Sequence, residues 1–372
     1  MFQIVIGIGV VLVLSILFFM FRIGTLLNVV KGSDKKIATG SNKVNAVLFL
    51  LTLIFGFGFM IWYSIVYYDD YTLPVASEHG VITDHLFWVT MWITGAVFVI
   101  THILLFVFPV KYFYKKDRKA MFFPENHTLE LIWTVVPAIV LASLIFTGLQ
   151  AWNDITSEAP EDSEVIEIFG QQFAWVPRYA GLDDKLGDFD YRKISLDNKV
   201  GIDFSDENAL DDFIPREIHI PKGHPVLFKI RARDVIHSVY APHFRLKMDA
   251  VPGMPTQFHF VATKTTAEMR EETGNPDFNY ELACAEVCGR GHFAMRQLIV
   301  VDTKEDYEKW KSEQTTLVAQ SKELMNLVPA DMKELAKIKG GVEEEEVVIE
   351  EAVEETPTTE ESSDNDEVQA SL

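Results

Sequence analysis

The chain has 372 residues, with 54 Asp and Glu against 33 Lys and Arg, and a formal net charge of −21. That balance excludes the basic footprint of a nucleic-acid-binding protein, so no nucleic acid is expected among its partners. The length suggests two or three folding units, and only two cysteines serve them all.

In chain order, four uncharged apolar stretches come first, at roughly 1–21, 46–68, 86–110 and 131–149. Each is long enough to cross a hydrocarbon core of ~30 Å as a helix. A helix that is hydrophobic on all sides is rarely a soluble core element. Four transmembrane helices, arranged as helical hairpins, are therefore expected. The first stretch has a rival reading as a cleaved signal peptide, but Met1-Phe2-Gln3 lacks the usual positive n-region. Retention as a helix is the better reading.

Loop charge sets the orientation. Residues 22–45 carry Arg22, Lys31, Lys35, Lys36 and Lys43, and 111–127 carry Lys111, Lys115, Lys116, Arg118 and Lys119. The intervening 69–84 has Asp69, Asp70, Glu78 and Asp84 and no basic residue. The positive-inside rule puts both basic loops in the cytoplasm. The N-terminus and everything after residue 150 then lie outside.

Between about 160 and 302 the pattern changes to short alternating segments. Val226, Phe228 and Ile230 alternate with Leu227, Lys229 and Arg231; Ile218 and Ile220 flank His219, and Phe258 and Phe260 flank His259. Residues 296–301 read as a closing strand. Short β-rich segments separated by Pro and Gly predict an all-β sandwich or barrel, with His219 and His259 pointing outward. The acidic, turn-rich 181–213 reads as a surface insertion. A helix is expected at roughly 303–325, with Tyr307, Trp310 and Leu317 on its apolar face. Thirteen of the acids fall in 342–372, which holds no Lys or Arg, so a disordered solvated tail is expected there.

The chemistry concentrates in Cys284-Ala-Glu-Val-Cys288-Gly-Arg-Gly-His292-Phe-Ala-Met295, which contains both cysteines. Two thiolates, an imidazole and a thioether form a soft ligand set that favours copper over hard cations. A disulfide would use only the cysteines. A structural zinc site would need a fourth N or S donor in place of the thioether. Copper would use every residue, with His237 in Asp234-Val-Ile-His237-Ser the best candidate for a second histidine. A single blue copper would leave one cysteine over, whereas two ions bridged by both sulfurs would use all four strong ligands. Gly289 and Gly291 would permit the tight turns.

This motif resembles that of subunit II of the haem–copper cytochrome c oxidases, of a bacterial type with an extended N-terminus. The pattern Cys-x-Glu-x-Cys-Gly-x-x-His-x-x-Met is complete. So are Asp-Val-Ile-His-Ser, Lys247-Met-Asp249-Ala-Val-Pro252-Gly253 and Glu130-Leu-Ile-Trp133-Thr134-Val-Val-Pro137. The similarity runs over roughly 80–312. It implies a cupredoxin-like barrel carrying the dinuclear copper A centre, on the periplasmic or outer side of a bacterial inner membrane. Cys284 and Cys288 would bridge the coppers, and His237 and His292 would each ligate one. Met295 and the Glu286 carbonyl would be weak axial ligands. The Glu286 side chain would bind a Mg or Mn ion shared with subunit I. Glu130 would mark the entrance of a proton path into subunit I, although an acid in a helix's first turn also stabilises the helix dipole. The implied partners are subunit I, other oxidase subunits and a cytochrome c-type donor.

The chain departs from the family in several places. Relatives carry a tryptophan at the electron-entry loop, where this chain has Gly170-Gln-Gln-Phe173-Ala-Trp175. Phe173 occupies the entry position, with Trp175 or Tyr240 sharing the role; barrel-edge packing is the plainer reading of Phe173 and Trp175. The family has two spans, so the first two here are additional. No Cys-x-x-Cys-His motif occurs, so no haem is expected in this chain. His102 is expected to bond to a neighbouring helix. The expected division is 1–80, extension with two spans; 81–150, hairpin; 151–302, copper domain; 303–340, C-terminal helix; and 341–372, tail. The competing function is a membrane-tethered copper-binding or copper-delivery module. A quinol-oxidase cap, which would have degraded ligands, is excluded by the intact motif.

Overall fold

A computed structural model describes residues 2–31, 34–115 and 118–341. The acidic tail expected to be disordered lies outside the described residues.

Four long helices form where the apolar runs predict them: α1 (Phe2–Val30), α2 (Asp34–Val66), then, after the short α3 (Tyr68–Tyr71), α4 (Glu78–Tyr112) and α5 (His127–Thr156). All four are long and apolar enough to span a bilayer. They overrun the apolar runs because polar turns extend both ends. Asn126 caps α5 by accepting from the Leu129 N–H at 3.0 Å, and Ser77 caps α4 by accepting from Gly80 at 3.1 Å. These side chains satisfy N–H groups that the first turn leaves unpaired.

The β domain has two sheets. One runs β2 (Ala174–Tyr179), β1 (Glu164–Gln171), β4 (Pro225–Ala232), β7 (Thr256–Val261). The other runs β3 (Ile218–Pro221), β9 (Arg296–Asp302), β8 (Tyr280–Cys284), β5 (His237–Ala241), β6 (Leu246–Ala250). Pairing is antiparallel except between β1 and β4 and between β3 and β9. This is a cupredoxin-like sandwich. Its core is filled by the alternating positions Ile166, Ile168, Ile218, Ile220, Val226, Phe228, Ile230, Phe258 and Phe260. Each such side chain contributes about 1.5–3 kcal/mol when fully buried.

The domain is fastened to the membrane helices through polar contacts. Ser77 Oγ donates to the Phe244 carbonyl at 2.7 Å, Ala76 N–H donates to His243 O, and Arg245 holds both carboxylate oxygens of Asp84 at 2.6 and 2.9 Å. These bonds join the start of α4 to the β5–β6 connection.

Several expectations fail locally, each for a physical reason. The 181–213 segment is not only a surface insertion. Val200, Ile202, Phe204, Ala209 and Leu210 are buried in a second core with Leu317, Val318, Leu324, Val328 and Ala336. The helix expected at 303–325 is broken into α7 (Lys304–Ser312), α8 (Leu317–Gln320) and α9 (Lys322–Leu327), followed by α10 (Lys333–Gly340). These short helices fold over the insertion while Trp310 packs on the main core and Tyr307 is buried in ring contact with it. Arg231, which alternates with the apolar Val226, Phe228 and Ile230, is buried as well. It pairs with Glu167, which also takes an ion pair from Arg178 at 2.7 Å, and Arg178 reaches Asp212 at 2.8 Å. His219 stacks under Trp310 at 4.2 Å and bonds Asp302 at 2.6 Å instead of pointing outward. The Nε2 of His259 is likewise buried. His102 bonds the Phe98 carbonyl of its own helix and packs on Phe57 of α2.

Candidate metal centre

The site is built on β5 and β8, which lie side by side with Val239 opposite Cys284. His237 opens β5 and Cys284 closes β8. The chain then leaves the sheet for eleven residues and returns as β9. Two backbone bonds pin that loop to the sheet: Ala285 N–H to Ser238 O at 2.9 Å, and Cys284 N–H to Met295 O at 3.1 Å. Met295 therefore hangs beneath the loop, almost fully buried.

The sulfurs of Cys284 and Cys288 are free and 3.8 Å apart. Each has its own histidine: His237 Nδ1 is 3.9 Å from Cys284 Sγ, and His292 Nδ1 is 3.7 Å from Cys288 Sγ. Met295 Sδ lies 3.8 Å from Cys288 Sγ, and the Glu286 carbonyl 3.2 Å from Cys284 Sγ. Donors that share an ion at ~2.0–2.3 Å are separated by roughly 3.3–3.8 Å in a tetrahedral arrangement. The observed spacings are of that size. His237, Cys284 and Cys288 all approach within 4.8 Å of one another and are all buried.

Electrostatics favour a cation here. His237 Nε2 lies 2.9 Å from Asp234 Oδ1. With Nε2 donating to that carboxylate, Nδ1 carries the lone pair that faces Cys284. Burial and the neighbouring Cys284 thiol push the Cys288 thiol up to about 11. Its sulfur becomes a thiolate when a cation replaces the proton. The donor set, unlinked and converging from two strands and one loop, fits copper.

A second loop closes over the first. Asp234 Oδ2 accepts from the Gln172 N–H at 2.8 Å, and Gln172 Nε2 donates to the Cys288 carbonyl at 2.6 Å. Phe173 lies across the metal loop, where a Cβ on Gly291 would come within 2.5 Å of its ring. Gly289 has φ +134° and needs glycine for the turn. Gly291 needs it only for the space Phe173 fills, which corrects the expectation that both serve the turn. Phe173 is 41% exposed, whereas Trp175 is 4% exposed and stands edge-on to His237 at 5.8 Å. Of the two candidate entry residues, only Phe173 reaches solvent; Tyr240, the third, is also exposed. Sequence reasoning missed Gln172. It gave Asp234 no part in the site, although its i,i+3 spacing to His237 was a readable signal.

The two other expected site residues lie apart. The Glu286 side chain is exposed beside the loop. Glu130 sits in the first turn of α5, half exposed, 3.4 Å from His127.

A helical membrane anchor bearing a cupredoxin-like domain with a paired-thiol centre is the class that fold and site define. The chain matches the family described as cytochrome C oxidase subunit II, periplasmic domain, over 164–303, and its transmembrane domain over 61–151. It is 34% identical to an alternative cytochrome c oxidase subunit 2 of Bradyrhizobium diazoefficiens, covering 67% of this chain and 85% of that protein. It is 26% identical to a cytochrome c oxidase subunit 2 of Thermostichus vulcanus, covering 63% and 76%. Among solved structures, the periplasmic domain of subunit II of cytochrome oxidase from Bradyrhizobium japonicum matches at 21% identity, covering 42% and 95%, with a TM-score of 0.28. The chain belongs to the cytochrome c oxidase subunit II family, as a membrane protein with its β domain outside. The matched segments begin at residue 61 and end at 303, so α1, most of α2 and the C-terminal helices are additions to them.

Proposed function

We propose that this chain accepts electrons singly from a cytochrome c-type donor at a dinuclear copper centre and passes them to haem in subunit I, where oxygen is reduced to water and protons are moved. The observation that carries this reading is the pair of free sulfurs 3.8 Å apart, each with its own histidine. Copper bound there supplies a one-electron carrier spread over two metals. Cys284, Cys288, His237 and His292 would hold it as the strong ligands, with Met295 and the Glu286 carbonyl as weaker ones. The protein's contribution is rigidity and dryness: two backbone bonds fix the loop, and Asp234 fixes the His237 tautomer. Phe173, on the exposed rim, is the proposed point of electron entry, and the membrane is the bacterial inner membrane.

The Glu286 carboxylate suits a hard cation such as Mg or Mn shared with subunit I. Glu130 is proposed as the proton entrance. The proposed division keeps 1–80 as the extension, 81–150 as the hairpin and 151–302 as the copper domain. Copper delivery is the weaker reading. A carrier that hands over its ion needs exchangeable ligands, whereas His237, Cys284, Cys288 and Met295 are all buried.

The test is metal content and electron paramagnetic resonance of the purified full chain loaded with copper. Two coppers sharing one unpaired electron are expected. A lone type-2 signal, or zinc held without colour, overturns the assignment. Cys288→Ser should abolish the shared-electron spectrum and cytochrome c oxidation by the assembled oxidase; full retention of oxidation removes Cys288 from the ligand set.

A further inference from the structure

A cavity of about 580 Å³ lies between α2 and α4, lined by Met60, Trp88, Met91, Trp92, Gly95 and Val99, all of them apolar. A second, of about 670 Å³, lies where the helices meet the β domain and is lined by Tyr68, Tyr71, Thr83, Trp88, Tyr240 and Lys247 among others. Trp88 lines both, so an apolar slot at membrane depth runs into a polar chamber above it. The junction carries the aromatic belt expected where helices leave a bilayer. Tyr63 and Tyr67 are in ring contact at 4.5 Å, Tyr63 and Tyr71 share a hydroxyl bond of 2.8 Å, and Tyr68 meets Trp88 at 6.0 Å.

The charges in the upper chamber are mostly settled among themselves. Arg245 is committed to Asp84 and to the Leu73 and Pro242 carbonyls, and Glu272 is paired with Lys264 at 2.7 Å. Lys247 is exposed and forms no ion pair among the described residues. An amphiphile that fits this shape carries a hydrocarbon chain below and a negative charge above. A quinol matches the lower slot but leaves Lys247 without a counter-charge.

We propose that this groove is a binding site for one anionic phospholipid, its acyl chain between α2 and α4 and its headgroup against Lys247 and the tyrosine hydroxyls. Met60 of α2 closes one side of the slot, and the other lining residues of the slot lie on α4. The site does not depend on the copper reading.

Gly95 offers a clean probe, because a Cβ there meets nothing within 4 Å. Gly95→Leu starts its side chain from an unobstructed Cβ in the lining of the slot. Gly148→Leu, on α5, is the matched control, since its Cβ is equally unobstructed. The full-length protein and its variants are equilibrated in nanodiscs of phosphatidylcholine with and without phosphatidylglycerol. They are then extracted in mild detergent, and the retained lipid is counted per chain by native mass spectrometry. One phosphatidylglycerol per chain is expected for the unmodified protein and for Gly148→Leu. Gly95→Leu should lower retention about tenfold through lost chain burial, and Lys247→Gln should abolish the preference for phosphatidylglycerol over phosphatidylcholine. Equal retention by Gly95→Leu, an unchanged preference in Lys247→Gln, or a quinone co-purifying in place of phospholipid overturns the proposal.

Discussion

Asp234 joins the two loops of the metal centre through one carboxylate. One oxygen orients His237, and the other holds the Gln172 N–H that carries Phe173 over the cysteine loop. Partners of this kind are worth roughly 10–100-fold in metal affinity. Asp234→Ala should therefore weaken copper binding by about that factor while leaving all ligands in place, as measured by competition with a chelator. Asp212 permits a different experiment. Burial, with Asp211 and Glu167 nearby, pushes its carboxyl up to about 7 against the pull of Arg178. The folded chain then holds a proton that the unfolded chain releases near pH 4. This group's stabilisation is complete below pH 4 and is lost as the pH rises through about 7. Asp212→Asn should flatten that part of the thermal midpoint's decline between pH 4 and 7; a decline identical to the unmodified protein's would show that Asp212 is ionised throughout.

Among the elements, the buried Arg178 decides how the C-terminal helices are held. It bridges Glu167 on β1 to Asp212, whose own carbonyl accepts from the Leu317 N–H at the start of α8 at 2.9 Å, two residues after Leu210 of the second core. Burial opposes the charge of Glu167, yet the Arg178 and Arg231 guanidinia hold its carboxyl below the usual range. Above pH 7, where Asp212 is ionised, Arg178→Met leaves two carboxylates without this partner and should cost about 3–5 kcal/mol, read by denaturant unfolding. Hydrogen exchange should rise first in α8 to α10. This region was the least legible in the sequence. The membrane helices announced themselves through unbroken apolar runs, and the sandwich through alternation at 218–220, 226–230 and 258–260. The second core did not, because Val200, Ile202 and Phe204 are embedded among acids, and the partners from Leu317 to Ala336 lie more than a hundred residues away. The burial of Arg231 was not legible because alternation assigns a face without reporting what covers it. The candidate ligands of the cysteine loop were legible from their spacing, whereas which histidine faces which sulfur was not.

For the whole molecule, the added helices and the copper domain are separable by their contacts. Helix α2 packs chiefly on α4, while the domain is fastened through Ala76, Ser77 and Asp84 at the start of α4. Removing 1–60 should leave the copper content and resonance spectrum of the purified protein unchanged. A lost spectrum would mean that the first two helices help to hold the domain. The domain itself has a consequence written into its strand order. His237 and Cys284 are 47 positions apart and meet only because β8 inserts between β5 and β9. No shorter piece of the chain brings them together, so the unfolded polypeptide offers the ion no equivalent seat. Occupancy must then follow sheet closure and in turn lock it, raising the melting temperature in step with the logarithm of free copper. Scarcity of the ion would be felt first as a loosening of the protein that waits for it.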